Sequence, residues 1–123
     1  MKLSTLSVIW AIAYSIFGLG LLIIPATFMA PFGVTFEDSG ILMARILGSA
    51  LFASAIAFYI NRNIPVTEKS QYNIILSGTI YNIVDLPIVL MATLDGTMNA
   101  LGWFPVGLHL FLAATMGYFV FKK

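Results

Sequence analysis

Tyr81, Asn82 and Asp85 lie in the run Ser77-Gly-Thr-Ile-Tyr-Asn-Ile-Val-Asp-Leu-Pro87. With Gly78 they fall at i, i+3, i+4 and i+7, which places all four on one face of a helix. The run is otherwise apolar, and a charge at the centre of a bilayer costs at least about 2.5–3.5 kcal/mol on insertion scales. Asp85 therefore needs a partner. Outside its own helix the chain offers Arg45 and its single histidine, His109. One arrangement is structural: an Arg45–Asp85 ion pair pins two helices together and His109 adds a hydrogen bond. The other is chemical. His109 gives or takes a proton, Asp85 orients it, and Arg45 holds an anionic or carbonyl oxygen. Asn82 and Tyr81 continue the polar wall one turn deeper. Trp10 and Tyr14, with Phe17 and Gly18, share a face of the first helix and either pack the bundle or line a ligand pocket. The candidate ligand-binding residues are Arg45, Asp85, His109, Asn82, Tyr81, Trp10 and Tyr14. His109 and Asp85 are the catalytic candidates if the protein is an enzyme. No Cys/His cluster marks a metal site.

Four apolar segments must position these groups. The first helix is expected over residues 3–28, where about 20 residues would suffice to cross a 30 Å core. Pro25 should break it. Phe28, Phe32 and Phe36 repeat every four residues after it, a pattern compatible with a segment lying flat at the interface. The second helix is expected over 41–60, capped by Asp38 or Ser39. Its small-residue pairs Ala44/Gly48, Ala50/Ser54 and Ala53/Ala57 permit close helix approach. The third is expected over 71–93, capped by Thr67 or Ser70, and the fourth over 100–121, capped by Asn99. Asp95-Gly96 reads as a turn. Counting from the helix ends puts Asp85 and His109 about 12–13 Å below one membrane boundary and Arg45 about 6 Å below it. The three groups can thus share a level.

Composition sets the class. Of 123 residues, 60% are hydrophobic and 9% charged, with a net charge of +1; mean hydropathy is +0.99. Soluble proteins carry about 25% charged residues. A chain this short cannot hide so much apolar surface by folding in water. The expected fold is all-α: a single-domain, four-helix transmembrane bundle. The apolar run from Leu3 to Ile24 is longer than the h-region of a signal peptide and is read as a retained helix. The absence of cysteine excludes a disulfide framework and thiol chemistry. No basic run points to nucleic acid. Lys2, Arg62, Lys69, Lys122 and Lys123 fall at one end of such a bundle and Arg45 toward the other. The positive-inside rule then makes both termini cytoplasmic. Tyr59, Tyr72 and Tyr118 mark the inner aromatic belt and Trp103 the outer one.

The segments Leu42-Met-Ala-Arg45-Ile-Leu-Gly48 and Asn99-Ala-Leu-Gly-Trp103, set on four apolar helices, resemble the small bacterial membrane proteins grouped as DoxX-like. That resemblance implies a multi-pass protein of the bacterial inner membrane. Its better-understood members are membrane subunits of quinone-linked or thiol-linked redox systems. Arg45 is the site residue that matches the pattern. Three functions follow from the sequence as alternatives. The first is a non-catalytic accessory or lipophilic-ligand-binding protein. Its partners would be membrane lipid, a quinone or other lipophilic molecule, a second copy, or a larger complex. The second is a membrane enzyme doing acid–base chemistry on a lipid, quinone or sterol-like substrate. The third is a small transporter or channel. No cofactor is specified by the sequence.

Overall fold

A computed structural model describes residues 1–122. The fold is the expected all-α four-helix bundle. Helix α1 covers Leu3–Ile23 and the short α2 covers Pro25–Met29; α3 covers Asp38–Ile60, α4 Lys69–Leu94 and α5 Trp103–Lys122. Four stretches are long and apolar enough to span a membrane: Leu3–Ile23, Asp38–Ile60, Lys69–Leu94 and Ala100–Lys122. The protein is a small multi-pass membrane protein. Its outer surface carries Ile12, Ile16, Leu42, Ile46, Ile83, Val84 and Phe111, all exposed, as lipid contact requires.

Pro25 breaks the first span as its chemistry demands. Ile24 leaves helical geometry, and Pro25 restarts the chain as the first residue of α2, a position where its missing N–H costs nothing. The first long helix thus ends at Ile23, short of the expected 28. The phenylalanines that follow do not lie flat at the interface. Phe28 turns back onto Phe17, with ring centroids 5.3 Å apart, and Phe32 and Phe36 face the bundle interior. The cap residues also differ from expectation. Glu37 and Glu68 occupy the caps of α3 and α4 without side-chain hydrogen bonds, whereas neither Asp38 or Ser39 nor Thr67 or Ser70 caps. Asp38 instead sits in the first turn of α3, where a carboxylate favours the positive end of the helix dipole. Asn99 caps as expected, its Oδ1 accepting from Leu101 N at 3.0 Å.

The bundle is two antiparallel hairpins. In the first, α1 and α3 cross where two glycines face each other. A Cβ on Gly48 would lie 2.6 Å from the Gly18 carbonyl oxygen and 2.6 Å from Leu22 N, so only hydrogen fits. The Ala44/Gly48 pair serves this crossing, with Ala44, Gly48, Leu51, Ala55 and Phe58 forming the buried face of α3. Ala50 and Ala53 are exposed. In the second hairpin α4 packs along α5, with Gly78 against Met116 and Gly102 against Thr93. The hairpins meet through larger side chains. Trp10 is fully buried, donates from Nε1 to Thr115 Oγ1 at 3.0 Å and packs edge-on to Phe58 and Phe119.

One end of the bundle carries Lys2, Arg62, Lys69 and Lys122; Lys123 lies outside the described residues. Arg62 stacks 4.1 Å from the centroid of the exposed Tyr59 ring, and Lys122 donates to the Tyr118 hydroxyl. The other end carries Glu37, Asp38 and Asp95. Its two loops are joined by Asn99, whose Nδ2 donates to the Pro31 carbonyl at 2.9 Å and whose backbone N–H donates to the Phe32 carbonyl at 2.8 Å. Gly33 adopts φ 78° beside it, a left-handed conformation that glycine takes without strain. Gly96, at φ 85°, closes the Asp95 turn. Hydrogen bonds from the Thr97 side chain and backbone hold the Asp95 carboxyl below the usual carboxylate range.

Candidate functional site

The buried face of α4 delivers Gly78 and Asn82, with Tyr81 and Asp85 half-buried beside them. Asn82 is the hub. Its Nδ2 lies 2.8 Å from the Gly78 carbonyl and 2.8 Å from the Tyr14 hydroxyl on α1. A carbonyl oxygen can only accept, so this end of the amide is the NH2 group. The amide oxygen Oδ1 must then be the atom 2.8 Å from His109 Nδ1. Because Oδ1 also only accepts, Nδ1 carries a hydrogen. His109 turns its other nitrogen, Nε2, to Asp85 Oδ2 at 2.9 Å. The contact shares one proton: either an imidazolium faces a carboxylate, or a neutral imidazole faces a carboxylic acid. A backbone carbonyl of α4 thus fixes an amide, the amide fixes a tautomer, and the tautomer aims one nitrogen at one carboxyl oxygen. The side chains of His109 and Asp85 are 13% and 27% exposed, so the pair borders a cavity instead of being sealed in protein.

That cavity has a volume of about 380 Å³ and is half-open, a size within the range of small-molecule sites. Tyr14, Tyr81, Asn82, Asp85 and His109 form its polar wall. The remaining lining is almost wholly apolar and comes from every element: Phe17 and Leu21 of α1, Met29 of α2, Phe32 and Phe36 of the loop, Met43 and Leu47 of α3, Val89 of α4, Leu108 and Leu112 of α5. The loop side chains roof it at the acidic end of the bundle. Tyr81 bridges the wall, its ring centroid 5.9 Å from that of Tyr14 and 5.9 Å from that of His109.

Five of the seven residues singled out from the sequence therefore converge, namely Tyr14, Tyr81, Asn82, Asp85 and His109. The other two do not. Arg45 is exposed on α3; among the described residues the ion-pair partner of Asp85 is His109, not Arg45. Arg45 follows Ala44, which is on the buried face, and one residue along a helix turns the side chain about 100° away. Trp10 packs the opposite half of the bundle and is not part of the cavity wall. Sequence reasoning missed Met29, Phe32 and Phe36 as lining. The four-residue phenylalanine repeat was a usable signal, but hydropathy cannot tell an inward face from one turned to the interface. Compared with family models, curated proteins and solved structures, the chain gives no match.

Proposed function

We propose that this protein binds a lipophilic molecule in the cavity between its hairpins, as a non-catalytic carrier, sensor or accessory subunit. One observation carries the reading: an apolar chamber of about 380 Å³ has a single polar wall, built from Tyr14, Tyr81, Asn82, Asp85 and His109. Apolar pockets with a few convergent polar groups are the common form of small-molecule sites. The charge distribution supports placing the Lys2 and Lys122 end in the cytoplasm and the roofed end of the cavity on the outer side of a bacterial inner membrane. The DoxX-like resemblance accords with that setting and with an accessory role beside a larger complex.

The test is native mass spectrometry of protein extracted gently from its own membrane, with lipid extraction of the same sample. A stoichiometric small molecule is expected on the native protein and not on Leu47→Trp, which places an indole at the cavity mouth. Protein that retains nothing, or retains the same species in both forms, contradicts the reading.

A second reading has its own observation. Asn82 fixes the tautomer of His109 while Asp85 faces Nε2, the arrangement an acid–base catalyst requires. Under that reading Asn82→Leu, which frees the imidazole to adopt either tautomer, lowers turnover of the retained molecule by more than it lowers its retention. Unchanged turnover in both Asn82→Leu and His109→Ala removes it.

A further inference from the structure

Resting on that binding reading, we infer that the ligand is a neutral amphiphile with a hydroxyl head, and that its tail leaves the cavity sideways between α3 and α4.

The head is assigned by counting unused hydrogen-bonding capacity in the wall. Tyr14 accepts from Asn82 Nδ2, and its own O–H has no acceptor among the described residues. The Tyr81 hydroxyl likewise bonds to no described residue. Asp85 uses Oδ2 on His109, leaving Oδ1 to accept from the cavity. Asn82 and His109 spend their polar atoms on each other, on Gly78, on Tyr14 and on Asp85. The wall therefore offers phenolic donors beside one carboxyl acceptor. A hydroxyl group, which donates once and accepts twice, satisfies both kinds at once. An ether or ester oxygen satisfies the phenols alone.

An anionic head is opposed by charge. Among the described residues no lysine or arginine lines the cavity. Arg45 points away from it, and the one basic group, His109, is already spent on Asp85. A carboxylate or phosphate placed there would bring an uncompensated charge into an apolar medium beside the Asp85–His109 pair, with no free cation among the described residues to balance it.

The tail path follows from the seam between the hairpins. A second recess of about 400 Å³ runs along α3 and α4, lined by Ser54, Phe58, Ile74 and Ser77. It shares Tyr14, Leu47, Leu51 and Tyr81 with the cavity. The two spaces are neighbours across those side chains, and Leu47 is 42% exposed at the junction. A chain anchored at Asp85 thus has a largely apolar route, past the Ser54, Asn73 and Ser77 side chains, to the lipid-facing surface.

The experiment uses four probes with one tail: hexadecanol, its methyl ether, hexadecanoate and hexadecane. Each is titrated into delipidated protein in detergent and read by native mass spectrometry. Hexadecanol should bind roughly tenfold tighter than the ether, the worth of one hydrogen bond, and hexadecanoate should bind no better than hexadecane. Asp85→Asn should narrow the alcohol–ether gap, and Tyr81→Phe should weaken the alcohol and the ether while leaving hexadecane unchanged. Hexadecanoate binding as well as hexadecanol, or all four binding alike, overturns the hydroxyl assignment and leaves the lipophilic cavity standing. Failure of all four, with nothing retained from the native membrane, overturns both.

Discussion

At the residue scale, the site is a chain of forced choices. The Gly78 carbonyl can only accept, so Asn82 can be oriented one way, so His109 presents Nε2 to Asp85. Each group is satisfied by the next, and removing one member strands its neighbour. His109→Leu is expected to destabilise the bundle by about 1–3 kcal/mol, because it leaves Asp85 in an apolar wall without its partner. Adding Asp85→Leu should recover part of that loss, since replacing both members of a pair by apolar side chains is often close to neutral. Unfolding in mixed micelles across the double-mutant cycle checks this, and strictly additive losses would count against the pairing. The sequence made Asp85, Asn82 and Tyr81 legible as a group because helical period alone puts them on one face. It did not reveal the partner. Arg45 and His109 are both basic and reach the same level, and what separates them is rotation about the helix axis. In a helix apolar on all sides, no polar face marks that rotation. The buried face of α3 is set by its glycine and alanines, which place Arg45 outside.

At the element scale, the two hairpins use different devices. The α1–α3 crossing has backbone against backbone at Gly18 and Gly48, whereas Gly78 on α4 faces side chains only, Met116 and the Phe58 ring. Gly48→Ala should therefore cost about 1–3 kcal/mol through forced separation of the helices, and Gly78→Ala less, because side chains repack where backbone cannot, Met116 by changing rotamer and the Phe58 ring by a small shift. Thermal unfolding of the two variants in the same detergent decides; equal losses would mean that the α1–α3 contact is looser than described here. Asn99 does two jobs that only an amide can combine, accepting from Leu101 N while donating to the Pro31 carbonyl. Asn99→Asp keeps the cap and the backbone bond to the Phe32 carbonyl but loses the side-chain staple to the Pro31 carbonyl. Faster hydrogen exchange across residues 29–36 is expected, with α5 unaffected, and an unchanged loop would show that the staple does not hold the roof. Helix spans were legible from hydropathy and proline to within a few residues. The staple was not, because its acceptors are backbone carbonyls 68 residues away, and no side-chain pattern announces a carbonyl.

At the scale of the whole molecule, apolar composition dictates the membrane, and the membrane dictates helices, since every backbone polar group must be satisfied within its own span. What composition does not dictate is the gap between the hairpins. It arises because α1 holds α3 and α4 holds α5 at close range, while the two pairs meet through Trp10, Tyr14, Phe58 and their neighbours within the bundle and through Asn99 at the loops. Those large side chains fill the basic end of the bundle and leave the acidic end hollow under Phe32 and Phe36. The central claim is that a lipophile enters this hollow. Photolabelling tests it most directly: membranes containing the protein are irradiated with a long-chain alcohol bearing a diazirine on its tail, and the labelled residues are mapped. Saturable labelling of Leu47, Leu51, Phe58 and Ile74, which line the tail path, competed by excess unlabelled alcohol and lost in Leu47→Trp, is the expected result. Labelling confined to the outward residues Leu42, Ile46, Ile83 and Val84, and insensitive to competitor, would contradict it.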